Sequence, residues 1–207
     1  MNSLLRAGCL RSGARRHQHQ HQHQHQQWQR RRVSTAQRFQ ESRVFPYSAA
    51  QVFDLVADVG RYSEFVPMCT GSTVFHDTWR TGAAGGRRSV RAELAVGYAP
   101  FRERYTSVVE LDRPRRITAT ATPGGVFTHM RTVWDFADAP PPGPAASPFA
   151  RPSATAASAA SATRVSFAIE YQFASALHAA VAGPVFSTMA QSILAAYLAR
   201  CQALYGR

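Results

Sequence analysis

Any reaction this chain carries out must draw on a short roster of side chains. Past residue 40 the histidines are His76, His129 and His178, and the cysteines are Cys69 and Cys201. All 24 basic residues are arginine. Without lysine there is no Schiff-base chemistry, no amine nucleophile and no phosphate-cradling loop, because each needs a primary amine. No C-x-x-C pair occurs, so neither a zinc knuckle nor a disulfide framework is indicated. Cys69 has no base nearby in sequence and reads as a small apolar residue. Ser107 and Ser166 lie in strand-patterned segments, with no G-x-S-x-G elbow around either. Asp54 and Asp58 stand four apart, a helical spacing, but an aspartate pair on a helix face is ordinarily solvated charge. No nucleophile, base and orienting group come together. The expectation is a binding protein with no catalytic residue, no metal and no cofactor.

The elements that would position a binding site follow from periodicity. Ser48 is a fitting N-cap for a helix over Ala49–Val59, which Gly60 ends. A short turn follows from Tyr62 to Val66, before Pro67. Strands are expected at Arg43–Tyr47, Ser72–Thr78, Ser89–Tyr98, Arg102–Leu111, Arg116–Thr122, Val126–Ala137 and Arg164–Phe173. The last alternates Val165, Phe167, Ile169, Tyr171 and Phe173 against Arg164, Ser166, Ala168, Glu170 and Gln172, the mark of an antiparallel strand with one buried face. Ser175–Tyr205 reads as a long helix, with Leu177, Val181, Val185, Met189, Ile193, Tyr197 and Leu204 at helical spacing. Ser187, Thr188, Gln191 and Ser192 interrupt it, so it is a poor membrane span. An antiparallel sheet and one terminal helix must bury their apolar faces against each other. They leave a hollow wherever inward side chains do not fill the gap.

Charge and composition divide the 207 residues. The net charge is +12, of which residues 1–40 carry +8 through eight arginines and no acid, leaving +4 for the remainder. A segment rich in arginine and serine and free of acids reads as a mitochondrial presequence, with cleavage expected between Arg32 and Gln40. The alternating His/Gln tract from His17 to His25 falls inside it. A basic total normally suggests nucleic acid, but most of the excess belongs to this leader, so no nucleic acid is expected. Residues 139–162, rich in Pro, Ala and Ser, cannot hold a sheet and read as a disordered loop joining two strands. The domain is therefore expected over 41–207.

The segment Val56-Ala57-Asp58-Val59-Gly60-Arg61-Tyr62-Ser63-Glu64-Phe65-Val66-Pro67-Met68-Cys69 closely resembles the V-A-D-V-x-x-Y-x-x-F-V-P-x-C signature of mitochondrial coenzyme Q-binding proteins, in the START/polyketide cyclase-like superfamily. Further matches follow in order at 92–98, 104–109, Trp134-Asp135-Phe136 and 200–206. The resemblance covers 41–207 apart from the 139–162 loop and the glycine-rich 80–88 loop. It implies an α+β helix-grip (START-like) fold, a curved antiparallel sheet wrapped around the long C-terminal helix. It implies a hydrophobic tunnel for ubiquinone as bound ligand, without catalysis. It also implies a carrier serving respiration and coenzyme Q biosynthesis, peripheral to the mitochondrial inner membrane on the matrix side, with the biosynthetic complex a candidate partner.

On that reading Tyr98, Tyr105 and Trp134 would offer the quinone head a ring or a donor. Leu94, Val96, Met130, Phe136, Phe167, Ile169, Tyr171, Met189 and Ile193 would line a channel for the tail. Phe65, Val66 and Pro67 would form its mouth. Burial of the tail is worth about 25 cal/mol per Å². Two other classes stay open: a ribosome-associated interaction protein, as bacterial relatives are described, and a polyketide cyclase or aromatase-like enzyme.

Overall fold

The computed structural model describes residues 36–82, 86–98, 101–140 and 162–206. The His/Gln tract and nearly all of the leader and the Pro/Ala/Ser loop lie outside the described residues. Strand β1 spans Gln37–Phe45, α1 Ala49–Ala57, and a 3-10 helix Val59–Glu64. Strands β2 (Cys69–Thr81), β3 (Arg87–Tyr98), β4 (Phe101–Asp112), β5 (Arg116–Ala121), β6 (Phe127–Ala139) and β7 (Ala162–Phe173) precede helix α2, Ala176–Tyr205. All seven strands form one antiparallel sheet in the order β1-β7-β6-β5-β4-β3-β2. Chain neighbours pair directly except where β7 returns to lie beside β1. With α2 against the curved sheet, this is the expected helix-grip fold.

Ser48 caps α1 as expected, and the cap is reciprocal: its hydroxyl accepts from the Gln51 backbone N–H, while the Gln51 side chain accepts from the Ser48 N–H. This satisfies two groups that a helix start otherwise leaves bare. Val52, Phe53, Leu55 and Val56 form the buried face of α1. Strand β1 begins at Gln37, inside the segment read as leader. Its Gln- and Arg-rich, mostly exposed residues lack the apolar alternation that marks a strand, yet Phe39 still packs against Phe167 with ring centroids 6.4 Å apart.

Helix α2 corrects one reading. The stripe of residues at every fourth position places Leu177 and Leu204 on the core face, but they are 71% and 48% exposed. A step of four advances 40° beyond a full turn at 3.6 residues per turn, so such a stripe winds around the helix. The face that is buried runs Phe186, Ala190, Ile193, Leu194, Tyr197 and Cys201. Ser175 accepts from the His178 N–H at 3.1 Å to cap the start. Tyr47 donates to the Gly206 carbonyl at 3.1 Å, and Tyr205 to the Gln51 carbonyl at 3.3 Å, tying the other end to the α1 side. No helix among the described residues is long and apolar enough to cross a membrane.

Candidate functional site

Register decides which inward side chains meet on the sheet floor. One row runs Val109, Ala119, Thr132 and Ile169 across β4 to β7; the next rows hold Ala92 beside Ser107 and Leu94 beside Tyr105. Large residues bound this patch: Trp134 and Phe167 on one side, Leu94, Val96 and Tyr105 on the other. The floor between them sets four small residues, Ala92, Ser107, Ala119 and Thr132, among Val109 and Ile169. Helix α2 meanwhile packs closest to β1, β7 and α1, away from β2 to β4. Small side chains beneath a diverging helix leave space.

That space is a cavity whose walls also include Ile117, Met130, Val66, Pro67 and Cys69, roofed by Phe186, Met189, Ala190, Ile193 and Tyr197 of α2. About 90 Å³ of it is free to the centre of a water-sized sphere. One water needs roughly 10–15 Å³ on that measure. The room is that of a ring-sized group. A second void, of about 50 Å³, adjoins it and shares Val96, Phe186 and Met189. Its other walls are Met68, Gly97, Glu103, Val126, Phe127, Phe173 and Val185.

Among the described residues the wall of the larger cavity holds no Asp, Glu, His or Arg. Its polar groups are hydroxyls and one thiol. Tyr62 donates to the Val56 carbonyl and is hydrogen-bonded to Tyr197. Tyr105, Ser107 and Thr132 line the cavity with no hydrogen-bond partner for their hydroxyls among the described residues. Burial pushes the Tyr62, Tyr105 and Tyr197 phenols above the ordinary tyrosine range, so all three stay protonated and able to donate. Burial raises the Cys69 thiol too, which disfavours its thiolate. Among the described residues no cluster of three His, Cys, Asp or Glu could hold a metal.

The loop carrying Phe65, Val66 and Pro67 is fixed by rings and charge. Phe65 meets Tyr197 at 5.0 Å and Tyr62 at 5.9 Å, both edge-on. The Arg200 guanidinium lies 5.4 Å from the centre of Phe65 and pairs with Glu64. Met68 takes a left-handed backbone, φ 62°, to turn the chain into β2. Its carbonyl accepts from the Gly97 N–H at 3.0 Å, holding the loop to β3. A non-glycine residue there is uncommon and marks a turn that its surroundings enforce.

Of the residues put forward from sequence, Val66, Pro67, Leu94, Val96, Tyr105, Met130, Trp134, Phe167, Ile169, Met189 and Ile193 stand on the cavity wall. Three do not. Phe65 anchors its loop to α2 through Tyr197 instead of facing the void. Phe136 points inward but near the far end of β6, where it packs on Phe53 of α1 at 5.6 Å. Tyr171 is held behind Phe186, 4.5 Å away, which itself forms the wall. The Tyr98 side chain lies outside the described residues. The sequence reading passed over Ala92, Ser107, Ala119, Thr132, Tyr62 and Phe186. The signal for the first four was present: inward positions of alternating strands occupied by small residues.

The sequence matches the family described as polyketide cyclase / dehydrase and lipid transport over residues 45–197. A mitochondrial coenzyme Q-binding protein of Xenopus laevis, COQ10 homolog B, is 30% identical over 82% of this chain and 59% of its own length. The ribosome association toxin RatA of Pseudomonas aeruginosa is 29% identical over 81% of this chain and 96% of its own. Among solved structures, an 18 kDa protein of Caulobacter crescentus is 31% identical, covers 83% of this chain and 99% of its own, and superposes with a TM-score of 0.55. A Streptomyces aromatase/cyclase shares the fold at 18% identity and a TM-score of 0.51, over 81% of this chain and 94% of its own. A START-like sheet gripping its last helix around an apolar hollow thus meets a sequence match spanning most of the domain, and the chain belongs to the polyketide cyclase / dehydrase and lipid transport family, with the resemblance to its coenzyme Q-binding members upheld.

Proposed function

We propose that this protein is a mitochondrial, non-enzymatic carrier that holds ubiquinone and exchanges it with the inner membrane at the matrix face, in support of respiration and coenzyme Q biosynthesis. One observation carries the reading: a cavity that is apolar throughout except for hydroxyl donors and a protonated thiol. A quinone head is a flat ring whose carbonyls only accept, so neutral donors among apolar walls suit it. A cyclase or aromatase must move protons at the reacting carbons, and the titratable groups on the wall among the described residues, three phenols and a thiol, are held towards their protonated forms by burial. The similarity to coenzyme Q-binding proteins of frog and fission yeast points the same way. Because the ligand passes between two apolar media, net transfer energy is small and exchange is easy.

Mass spectrometry of lipids extracted from the purified protein tests this. A bound polyprenyl quinone is expected, and Leu94→Ser, which places a hydroxyl on the apolar wall, is expected to lower its retention several-fold. A lipid-free protein that sediments with ribosomes in a salt-sensitive manner would replace the carrier reading with ribosome association. That second reading draws on the similarity to RatA, nearly whole-length for that protein, and on the exposed Arg102 and Arg104 of β4. Such contacts weaken steeply with salt when they neutralise phosphates.

A further inference from the structure

The carrier reading leaves open which way the ligand lies. The larger cavity has room for a ring and not for a long chain, and it is the one with unpaired hydroxyls. Tyr105 and Ser107 sit two residues apart on β4, so their side chains rise from one face about 7 Å apart. Thr132 stands two strands across. The smaller void is walled by Met68, Val96, Val126, Phe127, Phe173 and Val185 with one charged group among the described residues, Glu103, on its border. Glu103 lies 3.5 Å from the His178 imidazole on the first turn of α2, at the rim of the void. Between the two voids stand Phe186, Met189 and Val96, common to both walls. Met189 is flexible and only partly buried. Phe186 follows Pro184, which lies inside α2 and cannot supply the N–H that would satisfy the Ala180 carbonyl. The partition is therefore built from movable side chains on a helix segment with an interrupted hydrogen-bond ladder.

We propose that the ligand binds head-first, its ring carbonyls accepting from Tyr105 and Ser107 in the larger chamber, while its prenyl tail passes between Phe186 and Met189 into the smaller chamber and out past Val185. The inference rests on the carrier reading and adds an orientation and a tail site. Each end of the ligand meets the surface that matches it. The hydroxyls gain the partners they lack, and the isoprenoid chain replaces void with dispersion contact. The reverse pose would leave Tyr105 and Ser107 facing hydrocarbon, with their donors unmet.

Binding of ubiquinones with one isoprene unit and with a long tail, followed by quenching of tryptophan fluorescence in the full chain, separates the parts. Val185→Trp fills the smaller chamber from a half-buried position. It is expected to lower affinity for the long-tailed quinone roughly tenfold and for the single-isoprene quinone far less. Tyr105→Phe combined with Ser107→Ala is expected to weaken both quinones by roughly tenfold, the loss typical of about one to two hydrogen bonds. The same pair of changes should leave binding of squalene, which has no carbonyl, as tight or tighter. Equal losses for both quinones in Val185→Trp, or unchanged quinone affinity in the double variant, would overturn the proposed orientation while the carrier reading stands. Should Val185→Trp fail to fold, Val185→Phe makes the same comparison with a smaller plug. A wild-type protein that binds neither quinone overturns the carrier reading itself, and the orientation with it.

Discussion

The middle of helix α2 and its last turns cover very different interiors. Beneath its C-terminal turns the space is filled: Leu194 and Cys201 are fully buried, as are Phe45, Val52 and Val165, and Phe53 meets Phe136 edge-on at 5.6 Å. Beneath its middle turns, from Val185 to Tyr197, lie the two voids, edged by half-buried Leu94, Val96, Tyr105 and Met189. Sheet and helix are continuous across both, so the difference comes from side-chain volume and from the path of the helix. The filled end stacks Phe, Val and Leu from three layers: sheet, α1 and α2. The hollow region has no wall from α1 among the described residues, and its floor includes the small residues Ala92, Ser107, Ala119 and Thr132. One end thus supplies the stability that lets the other remain empty, as a binding site must be where neighbouring groups cannot collapse into it.

The largest expected effect separates the ends by stability. Leu194→Ala removes a side chain packed on all sides and should lower the unfolding free energy by about 2–5 kcal/mol. Leu94→Ala removes one that already borders a void and should lower it by about 1 kcal/mol in lipid-free protein. Urea unfolding monitored by circular dichroism measures both. Equal losses at the two positions would mean that the hollow end is as tightly packed as the filled one, and the division would fail.

Alkaline pH sharpens the same contrast with a smaller effect. Burial raises the Cys201 thiol from 9.0 to about 12 in the filled end, and raises the phenols of Tyr62, Tyr105 and Tyr197 around the void. All are neutral when protonated. Above their ordinary values the unfolded chain releases these protons and the folded one keeps them, so the folded state binds more protons and stability falls as pH rises. The contribution is complete below about pH 9 and declines from there towards pH 12. The urea midpoint should hold steady between about pH 7 and 8.5 and fall by pH 10.5. Cys201→Ala should flatten part of that fall, whereas bound quinone should slow it by stabilising the folded state around the tyrosines. A midpoint that rises with pH in this window would contradict burial of these groups.

Strand parity shows how far the sequence reaches. The alternation in Arg164–Phe173 assigned its inward face correctly, and the same holds for Met130, Trp134 and Phe136 on β6. Parity decides which face a residue takes, but not which part of that face lies under the hollow. Phe136 therefore points inward as expected yet touches α1, because register and helix path, both non-local, set its neighbours. Tyr171 fails in the same manner: Phe186, from a helix distant in sequence, stands between it and the void. The small floor residues were legible as positions but weak as a signal, since Ala, Ser and Thr in a strand pattern read as poor formers and not as absent volume. Strand β1 was missed at Gln37 because its exposed polar residues carry almost no period.

The smallest effect concerns what holds α1 to the filled end. Arg113, in the turn between β4 and β5, grips Asp54 with two parallel bonds, 2.9 Å from Nε and 2.8 Å from Nη2. The geometry is that of a strong pair, but the side chains are 59% and 51% exposed. Water screens their attraction, and ordering two solvated side chains offsets much of what remains. Packing of Val52, Phe53, Leu55 and Val56 against the sheet and α2 does not suffer that loss. Asp54→Asn should therefore leave the unfolding midpoint within experimental error of the wild type, at low and at high salt alike. A clear, salt-sensitive destabilisation would show that charge, and not apolar packing, seats α1. The filled end would then owe its solidity to a surface contact, and the contrast in side-chain volume would no longer account for why the space beneath the middle of α2 is hollow and that beneath its last turns is not.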